Sequence, residues 1–234
     1  MNHQFNWAVL WEYRELLLAG LKITIQLSSI SIVICTVLGI ILGIMRLAKN
    51  ALVRLFASAY VEFFVNTPLI IQMFFWYFAL PMMLPETLRF WLWSHNYEFI
   101  ASVIGLSIYT SSFIAEAVRA GIQAIDKGQR EAALSTGLSG FQTMWYIILP
   151  QAVRIVIPPI CNQYLNLIKN SSLAMTIAVP EITFQAQAIE SYTFRGFEAF
   201  TAATLIYISL TLTVSFLMSR VERWASKGQR AVVA

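Results

Sequence analysis

Long apolar stretches alternate with short polar segments along the whole chain. A membrane-spanning helix needs about 20 mostly apolar residues, and five stretches approach or exceed that length. They lie at residues 19–45, 55–80, 99–122, 153–168 and 197–218. The pattern therefore predicts an all-α polytopic membrane protein with five transmembrane helices. The fourth stretch is the shortest, and Pro158 and Pro159 near its start are expected to kink the helix because they remove backbone donors.

The composition supports this prediction. Hydrophobic residues make up 58% of the 234 positions, charged residues only 12%, and the mean hydropathy is +0.67. A soluble domain carries about a quarter charged residues. We expect a single domain over residues 1–234. The net charge of +4 is spread between the apolar stretches rather than gathered in a patch, so membrane topology explains it better than a nucleic-acid partner.

Positive charges are distributed unequally between the two sets of connecting segments. Five transmembrane helices place the termini on opposite sides, and the segments richer in Lys and Arg stay in the cytoplasm. Eleven of the 16 basic residues lie in one set of segments. These are Arg46, Lys49, Arg54, Arg119, Lys127, Arg130, Arg154, Arg220, Arg223, Lys227 and Arg230. We therefore predict an outside N-terminus, with the C-terminus and residues 125–150 in the cytoplasm.

Two segments on the opposite side combine aromatic rings with charges. Residues 5–18 contain Trp7, Trp11 and Tyr13 beside three charged side chains, a mixture typical of the headgroup layer. They predict an interfacial helix on the outer face. Trp91 and Trp93, after the second stretch, resemble the same kind of anchor, and stacking on a solute is the alternative.

The cysteines and histidines form no recognisable chemical site. Cys35 and Cys161 fall inside apolar stretches without metal-ligand spacing, so we predict two packing residues and no metal site. His3 and His95 are isolated and are expected to be exposed at one membrane face.

The polar segment 125–150 has an ordered pattern of its own. Its fixed positions are Glu131, Ala132, Ala133, Gly137, Ile147, Leu149 and Pro150. Alanine and leucine favour a helix, and glycine interrupts one, so we predict two short helices with a glycine bend across the cytoplasmic face. Small residues would let a partner surface approach closely, and Glu131 would pair with a partner's cation. An ordinary amphipathic connector is the alternative.

The spacing of these positions, EAA-x3-G-x9-I-x-LP, resembles the cytoplasmic EAA coupling loop of bacterial ABC import permeases. Further stretches are similar to the polar amino acid uptake subfamily. They are residues 66–72, 116–122, 150–154 and 167–173, in the family's order along the chain.

The resemblance implies a type I importer transmembrane domain of five helices in the bacterial inner membrane. Two ABC ATPase subunits would bind the loop, a second permease, identical or related, would pair with the chain, and an extracytoplasmic binding protein would deliver a polar amino acid. ATP and Mg would bind the ATPase subunits, because this chain has no Gly-Lys-Ser/Thr and hence no P-loop. We expect a non-catalytic subunit with no cofactor of its own.

Ionisable and polar residues within the predicted spans are candidates for the solute path. They are Glu62, Asn66, Gln72, Glu116, Arg119, Lys169, Asn170 and Ser171. An amino acid needs one partner for its carboxylate and one for its ammonium group. Glu116 and Arg119 are three residues apart and would alternatively pair with each other, and a packing role is the alternative for every member of the set.

Position 170 is Asn where the subfamily commonly has Asp. The absence of that negative charge favours an acidic solute over a basic one. We therefore expect glutamate or aspartate, with glutamine or another polar amino acid as the alternative.

Two other classes fit the sequence less well. An ATP-independent channel or carrier predicts paired repeats, and none is recognisable. An intramembrane enzyme needs a catalytic constellation, but the single Asp, Asp126, lies in the polar segment and neither His lies in a predicted span.

Overall fold

The computed structural model describes residues 5–226, and every regular element in that range is helical. The helices in chain order are α1 (Ala8–Glu12), α2 (Arg14–Met45), α3 (Ala51–Val65), α4 (Leu69–Phe74), α5 (Leu80–Met83), α6 (Glu86–Trp93), α7 (Tyr97–Gln123), α8 (Lys127–Ser135), α9 (Gly140–Gln142), α10 (Leu149–Asn170), α11 (Ile182–Thr193) and α12 (Gly196–Ser226). Short π-helical turns at Phe75–Ala79 and Thr143–Ile148 and a 3-10 segment at Ser171–Ile177 join neighbouring helices. His3, Lys227 and Arg230 lie outside the described residues.

Four helical stretches in the described range are long and apolar enough to cross a membrane. They are α2, α7, α12 and the continuous stretch Gly140–Ile177 that contains α10. A fifth crossing is possible if α3 and Leu69–Met83 are counted as one bent span. The all-α polytopic fold is therefore confirmed, with four or five crossings according to how the bent pair is counted.

The second predicted span is broken rather than straight. α3 and Leu69–Met83 meet at 105°. Pro68 lacks an amide hydrogen and disfavours helical geometry in the residue before it, so the helix cannot pass through this point. The Gln72 side chain covers the break, because its Nε2 donates to the carbonyls of Phe64 and Thr67, each at 3.0 Å.

The N-terminal interfacial helix is shorter than predicted. α1 has five residues, and α2 already begins at Arg14, within the segment expected to lie at the interface. Leu17 is buried in a cluster with Ile182 and Ala199. This packing extends the first long helix toward the N-terminus.

The fourth span is longer than predicted and includes part of the polar segment. α10 contains Pro158 and Pro159 without ending there, and helical structure is continuous from Gly140 to Ile177. The second of the two short helices predicted for residues 125–150 is therefore not a separate element. It continues through the π-helical turn into α10.

Small residues bring α2 and α7 close together. A Cβ atom on Gly39 would lie 2.6 Å from Ile114, and one on Gly43 would lie 2.7 Å from Val118. The contact moves four residues forward on both helices, from Gly39 to Gly43 on α2 and from Ile114 to Val118 on α7. The two helices therefore run in the same direction. Side-by-side packing of this kind is what small residues permit between membrane helices.

The structure also bears on the predictions for the two cysteines, His95 and the tryptophans after the second span. Cys35 and Cys161 are buried free thiols in the packed interior, as predicted. His95 is exposed. Trp91 and Trp93 are exposed on α6, where their role as membrane anchors stays a prediction.

The segment between α10 and α12 has more structure than the sequence suggested. It folds into the 3-10 turn and α11, and Ile177, Val179 and Ile182 are almost fully buried. This buried segment packs against the beginning of α2, since a Cβ atom on Gly20 would meet the backbone of Ile182 at 3.0 Å.

Candidate functional site

The Glu131-Ala132-Ala133 run lies on α8, which follows α7 almost directly. Asp126 caps the helix by accepting a hydrogen bond from the Gly128 amide at 2.6 Å. Glu131 and Ala132 are exposed, whereas Ala133 is 5% exposed. One face of the helix is thus docked on the protein, and the face that carries Glu131 is open. Within residues 5–226 the Glu131 carboxylate has no ionic partner.

Gly137 ends α8 in a left-handed conformation, with φ +85°. Its amide donates to the Leu134 carbonyl at 3.0 Å, and the Leu138 amide donates to the Ala133 carbonyl at 3.3 Å. These two bonds form a Schellman motif, which needs a residue that tolerates positive φ. The glycine of the sequence motif therefore sets the bend between α8 and the next helix.

Ser139 starts that next helix with a capping box. Its side chain accepts from the Gln142 amide, and the Gln142 side chain accepts from the Ser139 amide. Beyond the cap, Phe141 and Trp145 stack with ring centroids 6.3 Å apart. Phe141, Trp145 and Tyr146 are all more than half exposed, and the sequence analysis had not selected them, although four-residue spacing of the two stacked rings was a usable signal.

The last motif positions mark the junction with α10. Ile147 and Leu149 are half-buried, and Pro150 is exposed in the first turn of α10. Proline has no amide hydrogen to donate within a helix, and here it directly follows the π-helical turn Thr143–Ile148, where the hydrogen-bond pattern changes. The seven motif positions thus follow one continuous path from α8 to the base of α10.

A groove beneath α8 joins this path to two long helices. Its volume is about 300 Å³, and its walls include Leu47 after α2, Ile122 on α7, Arg130 on α8 and Ile148 before α10. The groove is therefore the place where α8 meets the segments next to α2, α7 and α10.

Glu116 binds two arginines near the same end of the bundle. Arg119 pairs with it from one turn further along α7, and Arg46 pairs with it from the end of α2. Arg119 also donates to the Gln123 side chain at 2.6 Å. The Arg46 side chain is only 10% exposed, and the Glu116 side chain is 44% exposed. The predicted Glu116–Arg119 pair forms, and Arg46 is a third member that the sequence analysis did not identify.

The candidates in the bent second span satisfy local groups. The Asn66 side chain donates to the Glu62 carbonyl at 2.7 Å. Gln72 is 3% exposed and holds the backbone at the bend. Glu62 and Asn66 are exposed at the end of α3.

Lys169 lines an open cavity of about 380 Å³. The cavity lies at the opposite end of α10 from residues 125–150, the predicted coupling segment. Ser172, Thr183 and Tyr207 also line it. Asn170 is half-buried and does not line the cavity, and Ser171 is buried, with its hydroxyl donating to the Ile168 carbonyl at 2.7 Å.

Glu181 is a buried carboxyl next to this cavity that the sequence analysis did not select. It accepts hydrogen bonds from the Tyr207 hydroxyl at 2.6 Å and from the Thr183 and Phe184 amides at 2.9 Å. Glu181 belongs to the segment that connects α10 to α12, outside the membrane-spanning stretches. Burial raises the pKa of its carboxyl group, although these hydrogen bonds oppose the shift. Its position at the start of α11 became apparent only from the fold.

The eight solute-path candidates therefore fall into three groups rather than one pocket. Glu62, Asn66 and Gln72 lie at the bend of the second span, Glu116 and Arg119 near the coupling segment, and Lys169, Asn170 and Ser171 at the far end of α10. In the described residues, no hydrogen bond or ion pair connects one group with another.

Comparison with known proteins agrees with this architecture. Residues 35–227 match the family model described as "Binding-protein-dependent transport system inner membrane component". The chain is similar to the glutamate/aspartate import permease protein GltJ of Escherichia coli K12, with 34% identity covering 95% of this chain and 96% of the relative. It is also similar to the probable glutamine ABC transporter permease protein GlnM of Bacillus subtilis, with 39% identity covering 95% of this chain and 99% of the relative.

A solved structure has the same fold. A chain in a crystal structure of an amino acid ABC transporter with histidines superposes with a TM-score of 0.84 at 32% identity, covering 94% of this chain and 99% of that chain.

Proposed function

The chain belongs to the family of binding-protein-dependent transport system inner membrane components, and from this premise we propose how it acts. It is a multi-pass inner-membrane permease subunit of a polar amino acid importer and performs no catalysis itself. ATP and Mg bind partner ATPase subunits, whose hydrolysis drives the solute through the permease. The observation that carries the proposal is the exposed motif surface of α8, which is docked by Ala133 and open at Glu131.

The coupling surface consists of the motif residues on α8 and the path to α10. Two ATPase subunits bind here, one on each of two paired permeases, the second of which is an identical or related chain. Glu131 pairs with a basic side chain of the ATPase, and the exposed rings of Phe141 and Tyr146 extend the contact. Support comes from the exposed, unpaired carboxylate and from the large exposed rings on a polar segment, since aromatic residues are enriched in protein interfaces.

The membrane orientation follows from the positive charges. The N-terminus and the end of α10 that carries Lys169 face outward, where a binding protein delivers the amino acid. The C-terminus and α8 face the cytoplasm. Eleven of the 16 basic residues of the sequence lie in residues 46–54, residues 119–154 and the part of the chain from Arg220 onward, and the positive-inside rule places such segments in the cytoplasm.

The solute is glutamate or aspartate. Of the described residues on the wall of the 380 Å³ cavity, Lys169 alone is charged. An ammonium group there attracts a carboxylate, whether that of the solute's side chain or its α-carboxylate. Asn170 adds no negative charge that would favour a basic amino acid. One 34% identical relative is named as a glutamate/aspartate permease, which supports the same solute class.

Glutamine is the second candidate. A 39% identical relative is named as a probable glutamine permease, and Ser172 and Thr183 offer neutral hydrogen-bonding groups on the cavity wall. Glu116 and Arg119 are a less favoured solute contact, because Arg46 and Arg119 already engage the Glu116 carboxylate.

Uptake by the reconstituted complex tests the solute. The permease, its ATPase partner and candidate binding proteins are placed in proteoliposomes, and labelled glutamate, aspartate, glutamine, arginine and histidine are compared. We expect ATP-dependent uptake of glutamate and aspartate. Glutamine uptake alone would select the second candidate, and uptake of arginine or histidine alone would contradict the acidic assignment.

A further inference from the structure

A second groove lies on the outside of the bundle where α10 and α12 meet beside the coupling segment. Its volume is about 440 Å³. Its walls are mostly apolar. They are formed by one face of the helix that runs from Trp145 into α10 and by the end of α12. The lining residues are Trp145, Leu149, Pro150, Val153, Arg154, Ile157, Trp224 and Ala225.

Among the described residues that line this groove, Arg154 alone is charged, and it is exposed. Between residues 5 and 226, no hydrogen bond, ion pair or ring contact engages its guanidinium group. An arginine on an otherwise apolar wall needs an anionic or hydrogen-bonding partner, and a guanidinium group is suited to two oxygens of one phosphate.

The surrounding charges do not supply that partner. Arg223 directly precedes Trp224 on α12 and Arg220 lies one turn before it, while Glu222, the acidic residue between them, interacts with the Cys161 thiol on α10. The local surface is therefore positive and complements an anionic ligand.

Two tryptophans place the groove at the boundary of the membrane. Trp145 is 56% and Trp224 is 74% exposed, and they line the groove from the two helices. Indole rings concentrate at the headgroup level of a bilayer, with basic residues beside them. Val153 and Ile157 continue along α10 toward the bilayer centre and provide an apolar track for an acyl chain.

We propose that this groove binds one anionic phospholipid of the inner leaflet. Arg154 holds the phosphate, the indoles of Trp145 and Trp224 flank the glycerol region, and Val153 and Ile157 contact an acyl chain. The lipid also contacts Leu149 and Pro150, so its binding stabilises the junction between the coupling segment and α10. Only the assignment to the inner leaflet rests on the proposed membrane orientation, and lipid binding itself is tested without it.

Native mass spectrometry and thermal unfolding of the purified permease–ATPase complex test the proposal. The complex is titrated with phosphatidylglycerol and, separately, with phosphatidylcholine of the same acyl chains. Wild type binds phosphatidylglycerol more tightly and gains thermal stability from it. Arg154→Gln weakens its binding by about fivefold, the effect of removing one basic residue near a lipid surface.

Arg220→Gln is the matched control. Like Arg154→Gln, it removes one positive charge near the groove, in this case from the end of α12. The Arg220 guanidinium, however, lies over the Phe216 ring at 4.7 Å and does not line the groove. We expect it to retain the wild-type preference for phosphatidylglycerol. Equal binding of the two lipids by wild type, or an unchanged preference in Arg154→Gln, would overturn the proposal.

A second measurement covers the case in which Arg154→Gln does not assemble. Phosphatidylglycerol with a photoreactive group near the glycerol is crosslinked to the wild-type complex, and the labelled peptides are mapped. Labels at residues 145–157 and 224 are expected. Labels only elsewhere would show that an ATPase or the second permease covers the groove, and the lipid assignment would fail.

Discussion

At the residue scale, one carboxylate connects two long helices near the coupling segment. Glu116 sits on α7 and binds both Arg119 on its own helix and Arg46 at the end of α2. Because the Arg46 side chain is 90% buried by the fold, its charge depends on that carboxylate for compensation. We infer that the cluster fixes the position of α2 against α7 where the coupling segment begins.

Replacing this carboxylate should lower stability without changing solute selectivity. Glu116→Gln leaves the Arg46 guanidinium without an ionic partner and should cost about 2 kcal/mol, as for a hydrogen bond to a charged group. The thermal midpoint of the purified complex should fall, while the apparent KM of its solute stays near the wild-type value.

The double variant Arg46→Gln with Glu116→Gln provides the control. It removes both charges and should recover part of the lost stability. A large rise in KM with no loss of stability would instead assign Glu116 to the solute path.

Glu181 should make stability depend on pH. Its pKa is raised by burial in the folded protein, so the folded state retains a proton at pH values where the unfolded chain has already released it. Stability is therefore highest below the ordinary glutamate pKa and decreases as pH rises through the raised value. Thermal midpoints of wild type should decrease over this window, and Glu181→Gln should reduce that slope. An identical slope in both proteins would contradict the assignment.

At the scale of elements, close packing and backbone breaks determine how the helices are arranged. α2 and α7 approach closely at Gly39 and Gly43. The second span bends at Pro68, where Gln72 satisfies the exposed carbonyls. Gly137 turns the chain from α8 into the helix that becomes α10. The close approach, the bend and the turn each depend on the backbone properties of a glycine or a proline, which a larger apolar residue does not have.

A matched glycine pair tests the helix contact. Gly39→Ala places a Cβ atom 2.6 Å from Ile114 and 2.9 Å from the Ser111 carbonyl, so α2 and α7 must separate. Overpacking of this kind costs about 1–3 kcal/mol. Gly140→Ala meets nothing within 4 Å and should change stability by less than about 1 kcal/mol. Thermal unfolding of both purified variants measures the difference, and equal midpoints would contradict the close approach.

The sequence predicted the helices more accurately than the breaks and connections between them. Apolar length identified the spans, whereas the coupling role indicated by the spaced motif stays a prediction. Length alone could not reveal the 105° bend, because the two arms together are long and apolar enough to be counted as one span. It also missed α11, whose buried residues are interspersed with polar ones, and the continuation of the coupling segment into α10. Arg46 and Glu181 were missed because their partners lie 70 and 26 residues away in the sequence.

At the scale of the whole molecule, the proposed coupling surface and the proposed solute cavity are separated along the bundle. The motif surface and the Glu116 cluster lie at one end, and the Lys169 cavity lies at the other end of α10. α10 connects them as one helix from the coupling segment to the cavity. A movement of α8 on its partner can therefore reach the cavity through a rigid element, which is the physical requirement for driving transport from outside the chain.

The most direct test of this account is ATP-driven amino acid uptake by the reconstituted complex carrying Glu131→Arg. This substitution reverses the exposed charge proposed to contact the ATPase, and Gln129→Arg on the same helix adds an equally exposed cation two residues away as its control. The account predicts that wild type and Gln129→Arg import solute only with ATP and that Glu131→Arg loses most uptake, by about tenfold or more. Wild-type uptake by Glu131→Arg, or uptake by wild type without ATP, would contradict it.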